Sequence, residues 1–110
     1  MTWNWLQNYG GHVYIIVDRH LTTGQQAVQG MHAVLEASRT GILDSNNPHP
    51  HIVFCKTNNL QKEIDKLNIN NIQYNTFIEP DLDNSLTAIA TEPIMGDGRK
   101  LFNKLQLVKG

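Results

Sequence analysis

The fold is decided by residues 13–33, which read Val-Tyr-Ile-Ile-Val-Asp-Arg-His-Leu-Thr-Thr-Gly-Gln-Gln-Ala-Val-Gln-Gly-Met-His-Ala. The apolar run at the start predicts a buried strand over residues 12–17. A short polar loop follows, and residues 24–39 are predicted to form a helix whose first amides are capped by Thr22 or Thr23. A strand that leads through a loop into a polar-edged helix is where an α/β protein usually builds a site.

Helical periodicity divides this helix into two neighbouring faces. At about 100° per residue, four polar side chains fall on one stripe, namely Gln25, Gln29, His32 and Glu36. Beside them runs an apolar arc made of Val28, Met31 and Leu35, with Ala27 and Val34 extending it. We expect the arc to pack on a sheet that contains residues 13–17 and 86–90, and the stripe to face a site.

The rest of the chain alternates between predicted strands and helices. Further strands are expected over residues 51–56, 72–77 and 85–91, and residues 40–50 are expected to form a loop. Leu60, Ile64 and Leu67 indicate a second helix, capped by Asn58 or Asn59, and a last helix is expected over residues 97–107. This order predicts an α/β fold, a single-domain sandwich with a mixed four-stranded sheet flanked by helices.

Length and composition fit one domain. The 110 residues, 40% of them hydrophobic, can bury one core; residues 1–110 are expected to form that domain, with residues 1–11 as an N-terminal extension. The sequence has neither a run of about 18 apolar residues nor the layout of a secretion signal, which predicts a cytoplasmic protein. The one cysteine, Cys55, lies in an apolar run and is expected in a buried strand. His49 and His51 alone do not make a metal site.

Positive charge collects near the end of a chain whose formal net charge is −1. Arg99, Lys100, Lys104 and Lys109 lie in the last dozen residues, with no acid among them. This cluster predicts either a patch that binds nucleic acid or an ordinary solvated helix face.

One motif on the first helix resembles a known family. The pattern Gly24-Gln25-x-Ala27-x-Gln29-x-x-His32-Ala33 is similar to the signature of the type-2 peptidyl-tRNA hydrolases, Gly-Lys-x-x-Ala-Gln-x-x-His-Ala. The preceding strand and the region from residue 81 to residue 93 resemble that family's first and last strands. Gln25, a neutral amide, stands where the family has its active-site lysine, so the chain resembles a divergent member that lacks this lysine.

The resemblance implies an esterase that cleaves the bond between a peptide and the tRNA ribose. Glu79 or Asp81, in the acidic turn before the last strand, would orient water, and His32 would assist proton transfer. The substrate-binding residues implied or suggested by their placement are His20, Gln25, Gln29, Thr87, Arg99 and Lys100. The implied partner is tRNA or peptidyl-tRNA, with no membrane; a homodimer is left open, and no cofactor or metal is expected.

A second hypothesis keeps the fold and changes the function. The neutral Gln25, the short acidic turn and the net charge are also typical of a non-catalytic relative that binds RNA, a nucleotide or a protein partner through the same cleft. Binding without hydrolysis would distinguish this relative from the esterase.

Overall fold

The structure is a computed structural model that describes residues 11–43 and 49–109. Within these residues the chain forms, in order, β1 (His12–Asp18), α1 (Thr23–Thr40), β2 (His51–Thr57), α2 (Leu60–Ile69), β3 (Tyr74–Glu79), a 3₁₀ helix (Pro80–Leu82), β4 (Ser85–Thr91), a second 3₁₀ helix (Gly96–Phe102) and β5 (Gln106–Leu107). The predicted α/β fold is confirmed. Residues 1–10 of the expected N-terminal extension and residues 44–48 of the expected loop lie outside the described part.

The sheet is mixed, and its strand order is β3-β4-β1-β2-β5. β1 and β2 are parallel, with His12 opposite His51 and Asp18 opposite Thr57. β4 runs antiparallel to both of its neighbours, β1 and β3, so β3 points in the same direction as β1 and β2. Four strands were expected, and β5 adds a fifth by pairing antiparallel with the outer edge of β2.

The predicted last helix over residues 97–107 is wrong. The chain there makes the 3₁₀ helix Gly96–Phe102 and then enters β5. Two glycines weaken an α-helix at its start, and Gly96 adopts a φ of +54°, which helical residues do not. Leu101 packs against the core from the 3₁₀ helix and Leu105 from the bend that follows it, so their spacing of four residues does not indicate an α-helix.

Each helix covers a different face of the sheet. Alternate side chains of β1 point to opposite faces, with Val13, Ile15 and Val17 packing in the cluster that contains Ala33 of α1. Tyr14 and Ile16 pack in the other cluster, with Leu60 and Leu67 of α2, Cys55 and Phe102. Cys55 is buried as predicted, and burial raises the pKa of its thiol to about 12, with a further rise from the Glu63 carboxylate and an opposing effect of Lys66.

The existence and the capping of both helices are confirmed. The Thr22 hydroxyl accepts a hydrogen bond from the Gln25 amide, and the Gln25 side chain accepts one from the Thr22 amide, which is a capping box. The Asn59 side chain caps α2 with a single hydrogen bond, which it accepts from the Lys62 amide. Neither helix of the described part has the length and apolar character that a membrane span requires.

The face of α1 that packs on the sheet is not the one expected. Val28, Met31 and Leu35 are 46%, 60% and 66% exposed, so their predicted packing on the sheet is wrong. The buried residues of the helix are small or hydrogen-bonded, namely Gln26, Gln29, Gly30, Ala33 and Ala37. Ala33 and Ala37 pack in one cluster with Ala88 and Ala90 of β4, and small residues on both sides let the helix approach the sheet closely.

Gly30 of α1 lies close to two side chains of the sheet. A Cβ atom built there would lie 3.1 Å from side-chain atoms of both Ile15 and Phe54. The outward arc of α1 and the uncovered face of β2 border an apolar groove of about 500 Å³, lined by Ile15, Ala27, Gly30, Met31, Val34, Leu35, Ile52 and Phe54. Met31 and Leu35 of the predicted arc therefore line this groove and do not fill the core, while Val28 is exposed outside it.

Candidate functional site: a polar network beside a basic cleft

Three strands end at one edge of the sheet and bring polar residues there. Because β1, β2 and β3 point in the same direction, their last residues, Asp18, Thr57 and Glu79, all lie at this edge. The N-terminus of α1 lies at the same edge, since the helix follows β1 after a loop of four residues. This is the edge at which open α/β sheets usually bind ligands.

A polar network joins α1 to this edge through Gln29, Glu79 and Thr87. The Gln29 amide nitrogen donates to Glu79 Oε2 at 3.1 Å, and its oxygen accepts from the Thr87 hydroxyl at 2.6 Å. Gln29 is 6% exposed and Thr87 is 1% exposed, so both partners of the amide are needed to offset its burial. The network therefore holds the Glu79 carboxylate in a fixed position above the end of β3.

The acidic turn uses Glu79 and leaves the Asp81 carboxylate apart from the network. Glu79 Oε1 accepts a hydrogen bond from the backbone amide of Asp81 at 3.3 Å, which caps the 3₁₀ helix Pro80–Leu82. The Asp81 side chain itself is exposed. Asp81 therefore contributes its backbone to the network, whereas the sequence analysis proposed its carboxylate.

The two predicted histidines have different partners. The His32 ring, half-buried, stacks on Phe77 of β3 with centroids 4.5 Å apart and an interplanar angle of 13°. His20 is exposed in the β1–α1 loop, with Nδ1 2.9 Å from Asp18 Oδ1. His32 is thus held against the strand that ends at Glu79, while His20 bonds to the end of β1.

The two glutamines at the start of α1 hold local backbone. Gln25 is exposed and its side-chain oxygen is engaged in the capping box, so it is not part of the network. The side-chain nitrogen of Gln26, which the sequence analysis did not single out, lies 3.0 to 3.3 Å from the carbonyl oxygens of Asp18, Arg19 and Leu21. Gln26 fixes the loop that carries Arg19 and His20.

A cleft of about 630 Å³ opens at the ends of β1 and β2 and is rich in positive charge. Six of the nine Lys and Arg residues of the chain line it, namely Arg19, Lys56, Lys62, Lys66, Lys100 and Lys104. Among the described lining residues, Glu63 is the one carboxylate. We call this cavity the basic cleft.

The Glu63 charge is already paired inside the cleft wall. Its Oε1 lies 2.7 Å from Lys66 Nζ, and its Oε2 accepts from the Thr57 hydroxyl at 3.0 Å. Lys66 also donates to the carbonyl oxygen of Leu101 at 2.7 Å, which ties α2 to the C-terminal segment. Lys66 therefore connects two sides of the cleft, and its charge neutralises that of Glu63, the only acid in the described wall.

The remaining cations are available to a ligand. In residues 11–43 and 49–109, no ion pair engages Arg19, Lys56, Lys62 or Lys104, whereas Lys100 lies 3.8 Å from an exposed carboxylate. Four unpaired cations around one concave surface repel one another, and an anionic ligand would remove that repulsion.

The position of the cleft follows from the path of the chain. The connection from β1 to β2 passes through α1 on one face of the sheet. The connection from β2 to β3 passes through α2 on the other face, and it crosses β1 and β4 to reach β3. The strand order thus reverses between β1 and β2. A crevice opens where two neighbouring connections leave a sheet in opposite directions.

The two cations named as substrate-binding residues have different surroundings. Lys100 lines the cleft, but Arg99 lies elsewhere and donates from Nε to the Tyr14 hydroxyl at 3.2 Å. Lys56, Lys62 and Lys66 were not singled out, because they are dispersed in sequence among ordinary residues. Only the strand order reveals that the end of β2 and the first turns of α2 face the C-terminal segment.

No described group of three or more His, Cys, Asp or Glu residues is arranged so that it could hold a metal ion. Comparison with models of known protein families gives no match for this chain. A search of the curated proteins also finds none that matches.

Proposed function

We propose that the protein is a peptidyl-tRNA hydrolase-like esterase that cleaves the ester between a peptide and tRNA. The observation that carries this proposal is the Glu79 carboxylate, fixed by buried Gln29 at the sheet edge that also bears the basic cleft. An ester hydrolase that acts on RNA needs an oriented base for water and cations for phosphates. The motif on α1 supplies the reason to choose peptidyl-tRNA as the ester.

Glu79 is the proposed general base. Each of its oxygens accepts one hydrogen bond from the protein, and a carboxylate oxygen has a further lone pair with which to accept from water. Water held there attacks the ester carbonyl, and its proton passes to Glu79. When the bond to the ribose oxygen breaks, that oxygen receives a proton, for which the protonated imidazole of His32 is the proposed donor. Glu79 then loses its proton to solvent and His32 regains one, which restores both groups.

Positive charge would come from a different position than in the family that the motif resembles. Gln25 is neutral and its amide caps α1, so it supplies no cation. Arg19, on the loop between β1 and α1, is the cation of the basic cleft nearest in sequence to the motif. We propose that Arg19 and the lysines of the cleft hold the tRNA while the network acts on the ester.

The second candidate function is RNA binding without hydrolysis. The observation that favours it is the capping box, which engages the Gln25 side chain at the position where the family carries a lysine. A neutral amide that is already bonded stabilises a developing oxyanion less well than a free cation does. The basic cleft would serve this function unchanged.

A hydrolysis assay distinguishes the two candidates. We expect the purified chain to release tRNA from peptidyl-tRNA, and Glu79→Gln to lower kcat by about 100-fold, the usual contribution of a general base. The matched control is Glu92→Gln, which makes the same change in a carboxylate that follows β4 at the opposite edge and accepts from the Gln73 amide. The control should keep the parent rate.

Two outcomes would contradict the esterase. If Glu79→Gln retains the parent rate, the proposed base is wrong. If the parent chain releases no tRNA at high enzyme concentration but binds it, the second candidate replaces the first. Thermal unfolding of both variants separates a lost base from a lost fold.

A further inference from the structure

We propose that the basic cleft binds several consecutive phosphates of an RNA backbone, at a site distinct from the polar network. The choice of RNA as the nucleic acid rests on the proposed function; the phosphate chemistry rests on the cleft itself. The polar network and the cleft share no lining residue, because Gln29, Glu79 and Thr87 are absent from the cleft wall.

The shape of the charged surface favours a chain of phosphates over a single one. A second cavity of about 340 Å³ adjoins the cleft, shares Lys56 and Gln106 with it, and adds a seventh cation, Lys109. The seven cations thus extend from the β1–α1 loop and the end of β2, past α2, to the C-terminal segment. One phosphate could engage only a few of them, whereas successive phosphates of one strand could engage most.

The uncharged lining indicates contact with the backbone and not with the bases. Of the described residues that line the two cavities, none is aromatic, so neither cavity offers a ring on which a base could stack. Asn58, Asn103 and Gln106 add amide groups that can donate to phosphate or sugar oxygens. Binding is therefore independent of sequence and strongly dependent on salt.

The cleft is also built to keep its positive charge in place. Lys66 pairs with Glu63 and donates to the Leu101 carbonyl. These two contacts connect α2 to the C-terminal segment and form what we call the floor of the cleft. Lys62 and Lys104, one from each side, are exposed and engage no carboxylate within the described chain. These two lysines are the contacts that a variant can remove without disturbing the floor.

The test measures binding of deacylated tRNA, which has no ester to cleave, by fluorescence anisotropy at several salt concentrations. We expect the double variant K62Q and K104Q to lose at least 10-fold in affinity at 50 mM salt, and the slope of log K against log salt to become shallower by about 1.4 to 1.8, from 0.7 to 0.9 per phosphate contact. The matched control is Arg39→Gln, because Arg39 lies at the far end of α1 and pairs with Glu36.

Each outcome bears on the cleft separately from the esterase. Parent affinity and slope in the double variant, with an unchanged unfolding temperature, would overturn the phosphate site. Equal losses in Arg39→Gln would also overturn it, since they would report net charge alone. Binding of polyglutamate as tight as that of tRNA would replace RNA by an acidic peptide as the ligand. Because deacylated tRNA carries no ester, these results stand whether or not the chain hydrolyses peptidyl-tRNA.

Discussion

Burying a glutamine side chain is unfavourable unless both ends of its amide find partners, and Gln29 finds one on each of two strands. Thr87 serves the oxygen and Glu79 serves the nitrogen. The Thr87 hydroxyl also lies 3.3 Å from the Phe77 carbonyl, but its single proton belongs to the shorter contact with Gln29. The orientation of the amide, and with it the position of Glu79, therefore depends on one hydroxyl group.

Replacing Thr87 by valine tests this dependence. Thr87→Val keeps the shape but leaves the Gln29 oxygen buried without its donor, so we expect the free energy of unfolding to fall by about 1 to 3 kcal/mol. Urea denaturation measures the loss. Thr76→Val is the control, because Thr76 is only half-buried on β3, and it should change stability by less than about 0.5 kcal/mol. Equal stabilities of the two variants would mean that Thr87 does not anchor the amide.

At the level of single residues, the sequence predicted part of the candidate site. Gln29 and His32 share a face by helical periodicity, and Glu79 precedes the last long strand, so their proximity could be anticipated; their chemical roles stay proposals. The use of Gln25 as a cap could have been predicted, because the spacing Thr22-x-x-Gln25 is that of a capping box. The use of Gln26 as a loop anchor could not, because it depends on how the loop folds back on the helix. Which of the two turns inward is decided by the packing of α1 on β4.

At the level of elements, helix α1 shows which features the periodicity of the sequence can predict. Its length and its Thr22 cap follow from the sequence, because caps and turns are local. The buried face of α1 does not follow from the sequence. The arc with the largest apolar residues was expected to pack on the sheet, but it is exposed. The sheet offers Ala88 and Ala90, and against such a smooth surface Ala33, Ala37 and Gly30 pack closely.

Two substitutions on α1 separate these faces. Leu35→Ala would cost about 2 to 5 kcal/mol at a buried position, but Leu35 is 66% exposed, so we expect a loss below about 1 kcal/mol. Ala33→Leu, at a position with no exposed surface, should cost about 1 to 3 kcal/mol through overpacking. Urea denaturation of both variants measures the difference, and the reverse order would restore the original expectation.

Over the whole molecule, the net charge does not predict how charge is distributed on the surface. The formal charge of −1 argues against a nucleic-acid ligand if charges are spread evenly. The chain instead gathers most of its cations at one crevice, and its acids lie mainly outside the crevice wall. The crevice forms because the chain crosses from β2 to β3. The concentration of positive charge there therefore depends on the order of the strands and cannot be predicted from composition.

The burial of Cys55 has a consequence for the folded molecule as a unit. The thiol lies on β2, where Cys55 pairs with Ile16 on one side and Leu107 on the other, and Sγ donates to the Ile15 carbonyl. The thiolate is the nucleophile that attacks alkylating and disulfide reagents. Burial disfavours this thiolate by raising the pKa of the thiol to about 12. An open chain would present an ordinary thiol that ionises near pH 8.5.

We therefore expect Cys55 to react with a disulfide reagent at pH 8 only through opening of the sheet. The ratio of its labelling rate in the folded chain to that in the urea-denatured chain should equal the equilibrium constant for opening. Low concentrations of urea should increase the labelling rate exponentially. A labelling rate that ignores urea would mean that the thiol is reached through local motion. Because the sequence holds no other cysteine, the ratio of the two labelling half-times gives the fraction of time that β2 spends open, with no foreign probe attached.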